Sequence, residues 1–109
     1  KRGLIINISS IATKKVFENA SIYTATKNAI IGLSNSLREE VRKNNVKFVN
    51  VFLGATYTDI WDEGFKEEHK DLMILPRNVA KIIHGIIKMS ETDDLMVEDI
   101  TIKPKLGDL

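Results

Sequence analysis

The sequence of 109 residues contains no cysteine, only two prolines and six scattered glycines. Without cysteine there is no disulfide framework and no thiolate site, which is consistent with a cytoplasmic protein. No apolar run approaches the roughly 18 residues that a transmembrane helix needs, and no secretory signal opens the chain, so no membrane association is expected. Two histidines without cysteine also give no metal-site spacing.

Charge of either sign is not in excess. The chain carries 16 basic and 15 acidic residues, for a formal net charge of +1. Such a balance indicates neither nucleic acid nor an anionic membrane as a partner. The length allows one domain at most, and the composition is that of an ordinary globular domain.

The most informative stretch is a helical segment from about residue 21 to residue 44. Apolar side chains recur there at the helical period, at Ile22, Ala25, Ala29, Ile30, Leu33, Leu37 and Val41. Tyr23 and Lys27 are four residues apart near its beginning, so both side chains lie on one helix face. Because a positive charge favours the ionised form of a phenol, such a tyrosine can exchange a proton. Taken alone, this spacing also occurs where a half-buried tyrosine lies beside an unrelated lysine.

A short apolar run lies upstream of this helix. Residues 4–8 (LIINI) are rich in β-branched side chains and are followed by Ser9 and Ser10. The pattern predicts a buried parallel strand with two hydroxyl groups at its carboxyl end. Ligands of open α/β sheets bind outside the carboxyl ends of the strands, so Ser10 is predicted to lie at a ligand site.

The segment 7–10 (NISS), followed by the segment 23–27 (YTATK), resembles the active-site signature of the short-chain dehydrogenase/reductase family. In that family N-[IV]-S-S is followed, about a dozen residues later, by Y-x-[AS]-[ST]-K. The resemblance implies an oxidoreductase that uses NADP or NAD and a small-molecule carbonyl or alcohol substrate. It implies that Tyr23 is the general acid or base and that Ser10 holds the carbonyl oxygen. Lys27 would support the phenolate and bind the nicotinamide ribose.

A second buried strand is predicted at residues 46–53 (VKFVNVFL). The loop after it corresponds to the family pattern P-G-x-[VI]-x-T. The resemblance therefore implies that Gly54, Thr56 and Thr58 bind the cofactor, with position 56 acting through its backbone. Leu53 replaces the usual proline, and Thr56 replaces the usual aliphatic residue. The alternative is a plain turn between strand and loop.

The remainder of the chain alternates between helix and strand. Residues 59–75 carry charges and scattered large apolar side chains without a clear period, and they occupy the position of the family's substrate lid. Trp61 and Phe65 are candidates either for a pocket wall or for inward packing. Pro76 is predicted to begin a helix that ends near residue 89, and residues 95–102 predict the last strand.

This alternation predicts an α/β fold with a parallel sheet, Rossmann-like and doubly wound, of which only the C-terminal half is present. The six glycines form no cluster, so the glycine-rich turn that receives a pyrophosphate is missing from the sequence. We therefore expect residues 1–109 to be the C-terminal part of a single NAD(P)-binding domain. The 109 residues alone are expected to be inactive.

Two other functions are compatible with the resemblance. One is a catalytically inactive relative that binds a nucleotide or a partner, and the other is a sugar-nucleotide epimerase or dehydratase of the extended type. The intact Ser10, Tyr23 and Lys27 argue against the first, and the paired serines without an added substrate domain argue against the second.

Assembly is also predicted. The helix at 21–44 is apolar on more than one face, and the resemblance implies that this helix pairs across a two-fold axis. We therefore predict a homodimer or a homotetramer.

Overall fold

A computed structural model describes residues 2–109 of the chain. The strands are β1 (Gly3–Ser10), β2 (Val46–Leu53) and β3 (Asp99–Ile102). The α-helices are α1 (Ser21–Val41), α2 (Glu63–Glu68) and α3 (Pro76–Met89). Short 3-10 turns cover Ile11–Thr13, Arg42–Asn44 and Lys70–Leu72. Within the described range, no helix is both long and apolar enough to cross a membrane.

The strands form one parallel sheet in the order β1-β2-β3. The register runs from Gly3 beside Val46 to Ser10 beside Leu53. All strand carboxyl ends therefore lie at one edge of the sheet, as predicted for a parallel α/β fold. The central strand β2 contains a run of five buried residues, because it has a neighbouring strand on each side and a helix over each face.

Two predictions about the strands are wrong. β1 is only partly buried, because its outer edge has no neighbouring strand within residues 2–109, and both Ile5 and Ile8 are exposed. The last strand begins at Asp99 rather than at residue 95. The Glu98 carbonyl, just before β3, still accepts from the N–H of Asn50 in β2 (2.9 Å). The guanidinium group of Arg38 lies beside this point and donates to the carbonyl oxygens of Phe48 (3.2 Å) and Glu98 (2.8 Å), so that the Phe48 carbonyl is bonded to a side chain.

The two faces of the sheet carry different kinds of contact. Val49 and Val51 of β2 pack with Ile86 of α3, and these three side chains form a buried apolar cluster. The opposite face packs against α1. There the contact includes a polar group, because Asn50 of β2 is fully buried and its amide donates to Asn35 of α1.

Candidate active site

The residues singled out from the sequence lie around the carboxyl edge of the sheet. Ser10 is the last residue of β1, and Gly54 is the first residue after β2. Tyr23 and Lys27 lie in the first two turns of α1, which packs against the 3-10 turn that follows Ser10. The fold therefore brings the segments that carry the three predicted catalytic residues to one region.

Tyr23 and Lys27 contact each other on α1 as their spacing predicts. The Nζ atom of Lys27 lies 5.7 Å from the ring centroid of Tyr23. The Tyr23 residue is 41% exposed. Within residues 2–109, neither the Tyr23 hydroxyl nor the Lys27 Nζ makes a hydrogen bond. The polar atoms of both side chains are therefore available to a ligand.

Ser10 is oriented by the turn that begins after it. Its Oγ accepts a hydrogen bond from the backbone N–H of Ala12 (3.1 Å). Its carbonyl oxygen accepts from the hydroxyl of Thr13 (2.9 Å). Because Oγ is used as an acceptor, the hydroxyl hydrogen of Ser10 remains free to be donated. Ser9, by contrast, is buried, and its Oγ atom has no hydrogen-bond partner in the described chain.

Position 54 requires glycine for a packing reason that the sequence did not reveal. Its N–H donates to the carbonyl oxygen of Ile102 (2.8 Å), and a Cβ atom there would lie 2.9 Å from Cδ of Pro104. That distance is too short for a side chain, so glycine lets the chain after β3 cross the end of β2. The assignment of Gly54 to cofactor binding thus has a competing explanation in packing.

The other two predicted cofactor residues lie in the same loop. The Thr56 hydroxyl donates to the carbonyl of Gly54 (3.1 Å), and the Thr56 carbonyl accepts from Nε1 of Trp61 (2.8 Å). The N–H of Thr56 makes no hydrogen bond within the described residues. Thr58 is exposed, and its hydroxyl lies 3.5 Å from the Thr56 carbonyl. The N–H of Thr56, which the resemblance implies as a backbone donor to the cofactor, therefore has no acceptor within the described residues.

The segment predicted as a lid contains the short helix α2 and an aromatic stack. Trp61 and Phe65 stack with ring centroids 5.3 Å apart, and the His69 ring lies 4.0 Å from that of Phe65. Asp62 caps α2 by accepting from the N–H of Phe65. The two predicted candidates for a pocket wall therefore contact each other, and Trp61 also ties the stack to the loop after β2.

Tyr57 is the other tyrosine of the chain, and its surroundings differ from those of Tyr23. Its hydroxyl donates to Glu67, and this hydrogen bond raises the pKa of the Tyr57 phenol. Nearby, Lys66 is buried and donates to Asp59 (2.9 Å), which lowers the pKa of the Asp59 carboxyl. The hydroxyl of Tyr57 is thus already hydrogen-bonded to Glu67 within the protein.

A polar network between α1 and the sheet was not predicted from the sequence. Asn7 of β1 donates to Ser34 of α1, and its amide also lies 3.4 Å from the Oδ1 atom of Asn50. Asn7 thereby links the strand that ends in Ser10 to the helix that carries Tyr23. The available signal was the single asparagine inside the otherwise apolar run of β2.

Solved structures match the architecture. The structure of 4-hydroxyisoleucine dehydrogenase complexed with NADH aligns with a TM-score of 0.76 and 20% sequence identity, over 96% of this chain and 48% of that chain. BdcA in complex with NADPH aligns with a TM-score of 0.75 and 19% identity, over 97% of this chain and 46% of that chain. At such identities the likeness concerns the fold alone. It confirms the Rossmann-like parallel α/β class, of which this chain covers a part.

Sequence comparison defines the family. The model of the short chain dehydrogenase family matches residues 1–69. Sepiapterin reductase of Chlorobaculum tepidum is 34% identical over 108 residues, which are 98% of this chain and 43% of that protein. An uncharacterized oxidoreductase of Staphylococcus haemolyticus is 26% identical over 94% of this chain and 42% of that protein. The chain therefore belongs to the short-chain dehydrogenase family, and it spans less than half of the length of these relatives.

Proposed function

We propose that the complete protein containing these residues is an NAD(P)-dependent oxidoreductase that interconverts a carbonyl compound and an alcohol. In this proposal residues 1–109 are the C-terminal part of a single NAD(P)-binding domain. The observation that carries the proposal is the pair of Tyr23 and Lys27 on α1. Both have unengaged polar atoms, and their helix packs against the turn after Ser10.

The proposed reaction assigns one role to each catalytic residue. When bound, the nicotinamide supplies the hydride that reaches the carbonyl carbon, or accepts it in the reverse direction. Tyr23 gives its hydroxyl proton to the carbonyl oxygen, so that the alcohol forms and the phenolate remains. The Lys27 ammonium stabilises that phenolate. Ser10 donates its free hydroxyl hydrogen to the same oxygen and stabilises the negative charge that develops there.

The residues of this chain fit the nicotinamide half of the cofactor. Lys27 has free donors for the ribose hydroxyls, and the unoccupied N–H of Thr56 is a donor for the carboxamide. The exposed hydroxyl of Thr58 is a further donor at the same edge. Gly54 contributes by keeping this loop close to the sheet. The proposal covers both NAD and NADP, because solved structures of similar fold contain NADH in one case and NADPH in another.

The proposed substrates are small carbonyl compounds or alcohols. The relative with 34% identity is a sepiapterin reductase, so sepiapterin belongs in the first assay panel together with simple ketones and aldehydes. NADH and NADPH oxidation by the complete protein should be followed separately. Cofactor binding without turnover of any panel member would instead favour the inactive nucleotide-binding alternative.

The test of the catalytic role is Tyr23→Phe in the complete protein. The phenyl ring retains the packing and removes only the proton donor, so we expect kcat to fall by about 100-fold or more. Cofactor affinity, measured by fluorescence titration, should remain close to that of the wild type. Tyr57→Phe is the matched control, because it removes a phenol hydroxyl that is bonded to Glu67. Retention of more than about a tenth of kcat by Tyr23→Phe, a loss under ~1.4 kcal/mol, would contradict the role.

A further inference from the structure

The loop between β1 and α1, residues 11–20, is held by side chains from distant parts of the chain. The Nζ atom of Lys14 lies 4.1 Å from the ring centroid of Phe52 and 3.3 Å from the hydroxyl of Thr101. The next residue, Lys15, donates to Oδ2 of Asp108 over 2.7 Å. This loop connects Ser10 to α1 and therefore to Tyr23, so its conformation affects the distance between the proposed catalytic residues.

Asp108 is the carboxylate that binds both Lys15 of the loop and Lys103 of the segment after β3. Its side chain is only 9% exposed, and its Oδ2 atom also accepts from Lys103 over 3.1 Å. Hydrogen bonds from Lys15 and then Lys103 lower the pKa of the Asp108 carboxyl. Asp108 is thus an ionised group shared by the loop after β1 and the segment after β3.

Several residues place Asp108 at this position. The chain leaves β3 and crosses Gly54 closely, with Pro104 buried against it. A turn follows in which the N–H of Gly107 donates to the carbonyl of Pro104 over 2.9 Å. Gly107 has φ +96°, a conformation that side chains rarely adopt, so glycine permits the turn that directs Asp108 toward Lys15.

The tip of the loop, at Val16 and Phe17, has little apolar packing that could hold it in place. Val16 is 94% exposed, and Phe17 is also exposed. The Lys15 Nζ lies 5.9 Å from the Phe17 ring, which itself contacts solvent. A loop with little buried apolar surface opens at low cost unless specific polar contacts hold it.

We propose that Asp108 is a positioning residue of the active site. By binding Lys15 it holds residues 11–20 across the carboxyl edge of the sheet, between Ser10 and Tyr23. This inference rests on the proposed function for its effect on catalysis, whereas the holding of the loop does not depend on it. Without Asp108 the substrate has to order the loop when it binds, so KM rises while the proton-transfer step itself is retained.

The experiment uses Asp108→Asn and Lys15→Gln, singly and together, in the complete protein. Asn keeps the shape of the side chain and removes its charge. Lys15→Gln, at an exposed position, provides a second route if the first variant does not fold. Asp93→Asn is the matched control, because Asp93 is exposed and makes no ion pair in the described chain. Three readouts are followed: steady-state kinetics, the midpoint of thermal unfolding, and the rate of tryptic cleavage, identified by fragment mass. Cleavage is measured after Lys14 in every variant and after Lys15 in the variants that retain it.

We expect each single variant to raise KM about threefold to tenfold, with kcat within about twofold of the wild type. Cleavage in Asp108→Asn should be at least about threefold faster, because cleavage follows the open population of the loop. The double variant should be no worse than either single one, since both remove the same contact. Asp93→Asn should match the wild type in all three readouts.

Three results would overturn the proposal. The first is unchanged KM and cleavage, and the second is additive effects in the double variant. The third is a fall in kcat and in thermal stability together with a rise in KM. The last result would mean that Asp108 is only structural. If no panel compound is turned over by the wild type, the proposed function fails, and the cleavage rates still decide whether Asp108 holds the loop.

Discussion

Arg38 is the residue at which the sequence pattern and the fold differ most. It lies on the charged end of α1, yet it is only 6% exposed. Its guanidinium donates to the carbonyl oxygens of Phe48 in β2 and Glu98 just before β3. A carboxylate oxygen of Asp99 also lies 3.5 Å away. Arg38 therefore supplies a donor to the Phe48 carbonyl and a second donor to the Glu98 carbonyl, which also accepts from the N–H of Asn50.

Replacing this side chain should be costly. Arg38→Leu leaves the Phe48 carbonyl without a donor, and the Glu98 carbonyl keeps only the N–H of Asn50, so we expect the free energy of unfolding to fall by about 1–3 kcal/mol. Urea denaturation of the complete protein measures the loss. Arg77→Leu is the control, because Arg77 lies exposed on α3 and has no ion pair in the described residues. A loss for Arg38→Leu no greater than that of the control would show that the network is dispensable.

At the scale of elements, the crossing of the chain over the end of β2 joins the fold to the candidate site. The same crossing places Gly54 beside Lys103 and Pro104, with a Cβ position 3.3 Å from Cα of Lys103. Because backbone atoms lie this close, a methyl group cannot be accommodated by rotating a side chain. The loop after β2 and the segment after β3 must therefore move together.

Gly54→Ala should push the loop after β2 away from the segment after β3 and lower the stability of the protein. Overpacking against the Lys103–Pro104 backbone is expected to cost about 1–3 kcal/mol of stability. Gly85→Ala provides a control of opposite sign: Gly85 lies in α3 with open space around it, so alanine should stabilise by roughly 0.5–1 kcal/mol. Thermal and urea unfolding of both variants would decide the point. A stabilising Gly54→Ala would mean that the crossing is not tight.

At the scale of the whole molecule, α1 presents a large apolar face to solvent. Ile22 is 79% exposed and Leu33 is 61% exposed. Between them on the helix lie the exposed Ala25 and Ala29, and a Cβ atom added at Gly32 would meet open space. Small residues beside exposed large ones allow another helix to approach closely. This face agrees with the proposed pairing of α1 with the same helix of a second subunit.

We predict that the complete protein is a homodimer or, more specifically, a homotetramer. Light scattering at micromolar concentration should give a multiple of the chain mass. Leu33→Glu should shift the population toward smaller species, because it places a charge in the apolar contact. Thr92→Glu introduces the same charge in the exposed turn after α3 and should leave the mass unchanged. A monomer mass for the wild type would refute the assembly.

Local patterns were sufficient to predict most elements. The helical period predicted α1, the β-branched runs predicted β1 and β2, and Pro76 marked the beginning of α3. The contact between Tyr23 and Lys27 was also predictable, since four residues of helix bring two side chains to one face. These features depend on neighbours in the sequence, so the sequence by itself determined them.

The tertiary structure alone decided the contacts between distant residues. The sequence did not indicate that Arg38 would donate to backbone carbonyl oxygens in and beside the sheet, or that Lys15 would meet Asp108, which is 93 residues away along the chain. It also did not reveal that Gly54 is needed where the chain crosses it. Each of these contacts requires the parallel sheet to bring the ends of separate elements together. No local period or propensity encodes that proximity, because it arises only when the chain is packed.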